Sequence, residues 1–133
     1  MRVVLLGAAG FIGTNLTIEL MKKPENEITL VDKNKDFFNP IVKMNLNNVH
    51  IVESSLTVDM DFDSILKEQD VVYHLVSTTV PTTSNQHISQ ELVSNVIFSA
   101  NLFEACIRCG VKKVVFVRSE ERRVGKECRS RWS

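Results

Sequence analysis

The sequence is poor in the residues that define several protein classes. Three cysteines in 133 residues do not make a disulfide framework, and one of them, Cys128, lies close to the C-terminus. No apolar run approaches the eighteen or so residues that a membrane helix needs, so no membrane partner is expected. The formal net charge is zero, with 16 Lys+Arg against 16 Asp+Glu, which suggests neither nucleic acid nor an anionic lipid surface as a partner. Tyr73 is the single tyrosine and Trp132 the single tryptophan. No internal repeat and no low-complexity segment is visible, which leaves one globular domain at most.

What is present suits such a domain. The hydrophobic fraction is 44% and the charged fraction 24%, both ordinary for a soluble protein with a real core. The zero charge hides an asymmetry. Residues 118–133 hold six Lys/Arg and three Asp/Glu, leaving ten basic and thirteen acidic residues in the first 117. Met1-Arg2 followed by "VVLLGAAGFIG" has the outline of a signal peptide. However, glycines break the run, an amphipathic helix follows, and no clear cleavage site is seen. The run reads as a strand and a turn, and a cytoplasmic protein is expected.

Strand and helix patterns alternate. Arg2 to Leu6 is a continuous apolar run, as in a parallel strand buried on both faces. Phe11 to Lys22 has helical spacing, with Phe11, Ile12, Leu16, Leu20 and Met21 able to share a face. Glu27 to Val31 is a second strand closed by Asp32. Residues 33–48 read as loop with room for a short helix. Val49 to Glu53 is a third strand, Phe62 to Lys67 a short helix, Val71 to Val76 a fourth strand, and "STTVPTTSN" a loop. His87 to Cys109 reads as one long helix with Leu92, Val96, Ala100, Phe103 and Ile107 along a stripe. Gly110 stands where a C-terminal glycine belongs. Lys113 to Val117 is a fifth strand. Such alternation means right-handed crossovers and a doubly wound parallel sheet, an α/β fold.

The first strand-to-helix turn carries the chemistry. Gly7 lets the chain turn off the strand, Gly10 lets backbone approach a pyrophosphate, and Gly13 lets the helix pack closely. Amides at the helix start, including those of Phe11 and Ile12, would face phosphates with the positive end of the helix dipole behind them. Asp32 follows the last glycine by nineteen residues, at the end of the next strand. There it suits adenosine ribose hydroxyls and repels a 2′-phosphate, favouring NAD over NADP. Lys33 and Lys35 leave that preference open, since a nearby cation tolerates a phosphate.

The spacing in "GAAGFIG" is G-x-x-G-x-x-G and resembles the fingerprint of the extended short-chain dehydrogenase/reductase family, the NAD-dependent epimerases and dehydratases of nucleotide sugars. "DVVYHLVS" (Asp70 to Ser77) resembles that family's fourth strand, and "NVIFSANLFEACIRCGVKKVVFV" (Asn95 to Val117) its following helix and fifth strand. UDP-glucose 4-epimerase-like proteins are the subgroup named. The resemblance covers residues 1–117 and implies a Rossmann-type domain, truncated after its fifth strand, with strand order 3-2-1-4-5. It implies that Gly7, Gly10, Phe11, Ile12 and Gly13 hold the pyrophosphate of NAD, and Asp32 and Asn34 the ribose. It implies further that Leu75, Val76 and Ser77 line the path to the nicotinamide, and that Asn95 lies in the helix behind the active site. There are departures. Ser55-Leu56 stands where the family has an aspartate near the adenine amine, Val76 replaces an alanine, and Phe98-Ser99 replaces Gly-Thr.

The family's catalytic tyrosine belongs to a Tyr-x-x-x-Lys beyond the fifth strand. Tyr73 lies inside the fourth strand and has no lysine at that spacing, so no catalytic residue is assigned here. The implied parent binds a nucleotide sugar, transiently oxidises a sugar hydroxyl and inverts a carbon. Dehydration or decarboxylation is the second outcome, and a non-catalytic dinucleotide sensor the alternative of another class. A homodimer formed partly through the helix holding Asn95 is also implied. The chain alone is expected to be inactive, with an open, apolar fifth-strand edge.

Other candidates carry less. Cys106 and Cys109 form C-x-x-C at a helix C-terminal end, the wrong pole for a low-pKa thiolate, and read as packing. His74 reads as structural. His50 and His87 have no partners at metal-ligand spacing. Asp59, Asp61 and Asp63 lack the glycine and distal glutamate of a calcium loop, and no metal is expected. Finally, "RSEERRVGKECRSRWS" (residues 118–133) resembles, codon for codon, the translation of a widely used short-read sequencing adapter. It is read as a non-native, disordered tail, and Cys128 and Trp132 receive no functional weight.

Overall fold

β1 (Arg2–Leu6) lies at the centre of the sheet, where Val3, Val4, Leu5 and Leu6 are wholly buried. A strand covered on both faces tolerates no polar position, hence the unbroken apolar run. The computed structural model describes residues 1–44, 47–76 and 86–117. Ser77, the loop over residues 77–85 and residues 118–133 lie outside them.

Four strands join β1: β2 (Glu27–Asp32), β3 (Val49–Glu53), β4 (Val71–His74) and β5 (Lys113–Phe116). The order is β3-β2-β1-β4-β5 and every pairing is parallel, as the sequence predicts. Leu6 pairs with Val31 on one side and with His74 on the other. The carboxyl ends of β1, β2 and β4 therefore align. The connection from β1 to β2 and the connection from β3 to β4 cover opposite faces of the sheet, and a crevice opens where they part.

Alternate residues feed the two cores, because successive strand side chains point to opposite faces. Val3, Leu5, Ile28, Leu30 and Val49 pack on one face with Leu16 and Leu20 of α1 (Phe11–Met21) and Val42 of α2 (Pro40–Met44). Val4, Leu6, Val31 and Val72 pack on the other with Phe62 and Leu66 of α3 (Phe62–Leu66). Phe98, Leu102 and Ala105 of the last helix close that layer. Between β2 and α2 runs a 3-10 turn, Lys35–Phe37.

Several elements differ from the sequence reading. β4 ends at His74 rather than Val76, because Leu75 and Val76 leave the ladder to wall the crevice. The long helix is three pieces in continuous succession: α4 (Ile88–Glu91), a π-helical segment (Leu92–Ile97) and α5 (Phe98–Arg108). The inserted π turn rotates the face that meets the sheet. Phe98, Leu102, Ala105 and Cys106 are buried, while the predicted stripe of Leu92, Val96, Ala100, Phe103 and Ile107 is exposed. In α1 the buried positions are Gly13 and Thr17, and Phe11 is 85% exposed. Gly110 has φ +70°, and a Cβ there would meet nothing within 4 Å, so only its backbone conformation requires glycine.

Candidate functional site

A groove runs along the carboxyl ends of the strands. Gly7, Gly10, Leu75 and Val76 form its floor and one wall. At one end, a cavity of about 440 Å³ is bounded by Asp32, Lys33, Ser55, Leu56 and Thr57. At the other, a cavity of about 410 Å³ is bounded by Phe11, Ile12, Gly13 and Val117.

The three glycines do different jobs. Gly7 has φ +81°, and a Cβ there would sit 3.0 Å from the backbone carbonyl of Leu75. Its N–H donates to Val31 O at 2.9 Å, and Leu75 N–H donates to Leu6 O at 2.9 Å, so the turn is bound to both neighbouring strands. A Cβ on Gly13 would lie 2.7 Å from Ala8 Cα, so the helix can approach the turn only without a side chain. Gly10 is unlike both. Its φ of −72° suits any residue, and a Cβ there would meet only Gly7 O, at an ordinary 3.7 Å. No described residue requires glycine at position 10. The space that a side chain would take is open groove.

Gly10 is also the N-cap of α1. No side chain caps it, and the first turn holds no acidic residue. The residues of this helix start, Phe11, Ile12 and Gly13, border the groove with no side-chain cap among the described residues, and an anion there would satisfy their amides.

Asp32 is half-buried and ties the site together. Oδ2 accepts from Ala9 N–H at 2.9 Å and Oδ1 from Lys33 N–H at 2.7 Å. One carboxylate thus joins the end of β2 to the glycine turn. A carboxylate has about four acceptor positions, so two remain for ligand hydroxyls. Asn34 does not border the groove; its Oδ1 caps the 3-10 turn by accepting from Asp36 N–H at 2.8 Å. Asn95 lies in the π segment, away from the groove lining, with its carbonyl accepting from Ser99 Oγ at 2.6 Å. Thr57 and Val117 enter the lining without any signal in the sequence, since loop residues there follow no motif.

His74 is 1% exposed, and burial pulls its pKa from 6.5 down to about 4. Cys106 is pushed up to about 11 by burial, and Cys109 is raised by burial and then by Asp63. Neither is a ready thiolate at neutral pH. No group of His, Cys, Asp and Glu among the described residues could hold a metal ion. Nor is any helix among them long and apolar enough to cross a membrane.

The residues present fit a dinucleotide: an uncapped helix start, a glycine whose missing side chain opens the groove, and a carboxylate beyond it. Comparison with known proteins agrees. The chain is 30% identical over 128 residues to the uncharacterized UDP-glucose epimerase YtcB of Bacillus subtilis (strain 168), covering 87% of this chain and 39% of that protein. It is 28% identical over 123 residues to the UDP-N-acetyl-alpha-D-glucosaminuronate decarboxylase of Bacillus cytotoxicus, covering 90% and 37%. Its fold matches MoeE5 in complex with UDP-glucuronic acid and NAD with a TM-score of 0.74 at 27% identity, covering 87% of this chain and 36% of that one. The chain thus spans little more than a third of the length of these relatives. The profile of the NAD dependent epimerase/dehydratase family matches residues 3–127, running past Val117, and the chain belongs to that family.

Proposed function

We propose that this chain is the dinucleotide-binding part of a nucleotide-sugar epimerase, with dehydration or decarboxylation as the second outcome for the parent protein. The observation that carries the binding role is Gly10: open groove where its side chain would be, at an uncapped helix start. Gly7, Gly10 and Gly13, with the amides of Phe11 and Ile12, would hold the pyrophosphate. Asp32 would accept from the adenosine ribose, and Leu56 offers an apolar face to the adenine. Leu75 and Val76, with Ser77 beyond the described residues, would lead to the nicotinamide. When bound there, NAD would supply the redox chemistry of the parent protein, reversible hydride exchange with a sugar carbon.

The chain's own residues bind and orient; they move no proton, because the family's Tyr-x-x-x-Lys is not in this sequence. Isothermal titration of NAD and NADP into the 133-residue chain tests the binding role. NAD binding that is weakened at least tenfold by Gly10→Ala supports it, and heat-silent titrations with both dinucleotides refute it. Self-association through the exposed stripe of Leu92, Val96, Phe103 and Ile107 is the assembly this reading favours.

Residues 118–133 we read as an adapter translation joined to a gene. Long-read sequencing of the source locus through the codon for Val117 decides it. A frame that continues into serines and a Tyr-x-x-x-Lys supports the enzyme. A locus that itself encodes Arg118 to Ser133 and then a stop overturns the adapter reading and favours the non-catalytic dinucleotide sensor.

A further inference from the structure

His74 links the wall of the groove to the π segment through side-chain hydrogen bonds. It closes β4, and its ring is enclosed by Phe98, Phe103 and Phe116 at centroid distances of 5.5, 6.2 and 4.9 Å. No charged side chain figures among these contacts. Val76 N–H donates to Nδ1 at 3.3 Å. Nε2 lies 2.7 Å from Ser99 Oγ, which in turn lies 2.6 Å from Asn95 O.

The direction of this chain of bonds follows from elementary chemistry. A carbonyl oxygen only accepts, so the single hydroxyl hydrogen of Ser99 goes to Asn95. Ser99 Oγ must then accept from Nε2–H. Nδ1, already taking Val76 N–H, carries no proton. Both ends of the ring demand the same neutral tautomer. A second ring proton would set N–H against Val76 N–H, and the bridge would break.

The two anchors are informative. Val76 borders both halves of the groove. Asn95 lies in the π segment, where Phe98 N–H reaches back to Val93 O, and π turns inside helices concentrate at functional sites. We propose that His74 is a positioning residue: a neutral, directional bridge that fixes the Val76 wall of the groove against the π segment and so sets the groove's width for its ligand. Ser99 is its necessary middle atom. The proposal rests on the dinucleotide-binding reading given above. Burial supports it by keeping the imidazole neutral well below physiological pH.

Ser99→Ala removes the middle atom without disturbing the ring stack, and Ser99→Thr replaces the hydroxyl. The 133-residue chain is followed by NAD titration and by 1H–15N spectroscopy. In Ser99→Ala the Kd for NAD is expected to rise about three- to tenfold, the range that one hydrogen bond commands. The Val76 amide is expected to shift and lose exchange protection, and Ser99→Thr to restore both. An unchanged Kd with an unmoved Val76 amide in Ser99→Ala overturns the proposal. So does a long-range 1H–15N spectrum showing the proton of His74 on Nδ1 at pH 7. If the wild-type chain binds no NAD, the dinucleotide reading fails, and the bridge then stands or falls on the tautomer and the Val76 amide.

Discussion

Gly13 and Ala8 are in backbone contact: a Cβ on Gly13 would lie 2.7 Å from Ala8 Cα, whereas one on Gly10 would have no neighbour among the described residues closer than 3.7 Å. Two glycines three residues apart therefore answer to different demands, one from the fold and one from the ligand. Gly13→Ala is expected to destabilise the chain by about 1–3 kcal/mol, as overpacking does, with a lowered denaturant midpoint. Gly10→Ala should cost below about 1 kcal/mol, the difference between a glycine and an alanine N-cap, yet weaken NAD binding at least tenfold. Equal stability losses in the two variants would refute the division.

Asp32→Asn tests the carboxylate that ties β2 to the glycine turn. Ala9 N–H and Lys33 N–H meet different carboxylate oxygens, and in the amide one of those positions becomes an NH2 that cannot accept. The orphaned N–H should lower stability by about 1 kcal/mol. Loss of the negative charge should also narrow the preference for NAD over NADP, with Lys33 left to face a 2′-phosphate. Parallel titrations of the two dinucleotides into both proteins read the change. A discrimination ratio that stays the same would remove Asp32 from the ribose site.

Much of this was legible in the sequence, and the gaps have physical causes. The apolar run of β1 and the glycine turn each have one physical solution, so both were readable, while the strand order came with the family resemblance. The π turn was not, because hydrophobic spacing in one long helix does not reveal an inserted residue. The exposed stripe of Leu92, Val96, Phe103 and Ile107 looked like a core face for the same reason. Asn34, placed at the ribose by resemblance, caps its own 3-10 turn; an Asn-x-Asp beside a strand end is equally a local cap. Ser99 was visible only as a departure from Gly-Thr. Its role needs the distance to His74, which lies 25 residues away.

The stability of the chain should fall on mild acidification because of His74. Its folded pKa of about 4 lies below the ordinary 6.5, so the unfolded chain binds the proton first. Stability is then fully present above 6.5 and is lost as the pH falls toward 4. The slope from this one group is at most about 1.4 kcal/mol per pH unit. His74→Phe keeps an aromatic ring among Phe98, Phe103 and Phe116 but cannot titrate, so it should be less stable at pH 7 and flatter between pH 6.5 and 4. Urea unfolding at half-unit pH steps in both proteins isolates the difference. Parallel curves for the two would show that folding does not lower the His74 pKa.

Ile107 is 81% exposed on α5, and Val96 at 59% and Leu92 at 51% are exposed in the π segment before it. An apolar surface of this kind in water favours association with another surface of its own kind. The register of the helix matters here, because Phe98, Leu102 and Ala105 already fill the inner face, and no rotation can bury both. Ile107→Lys and Val96→Lys introduce charge at exposed positions, so each should leave the unfolding midpoint unchanged within about 0.5 kcal/mol. Each should also reduce the concentration-dependent mass measured by light scattering or sedimentation. A monomeric wild-type chain at high micromolar concentration would instead leave this face without a partner of its own kind. A fall in midpoint in the lysine variants would mean that it packs against the chain itself.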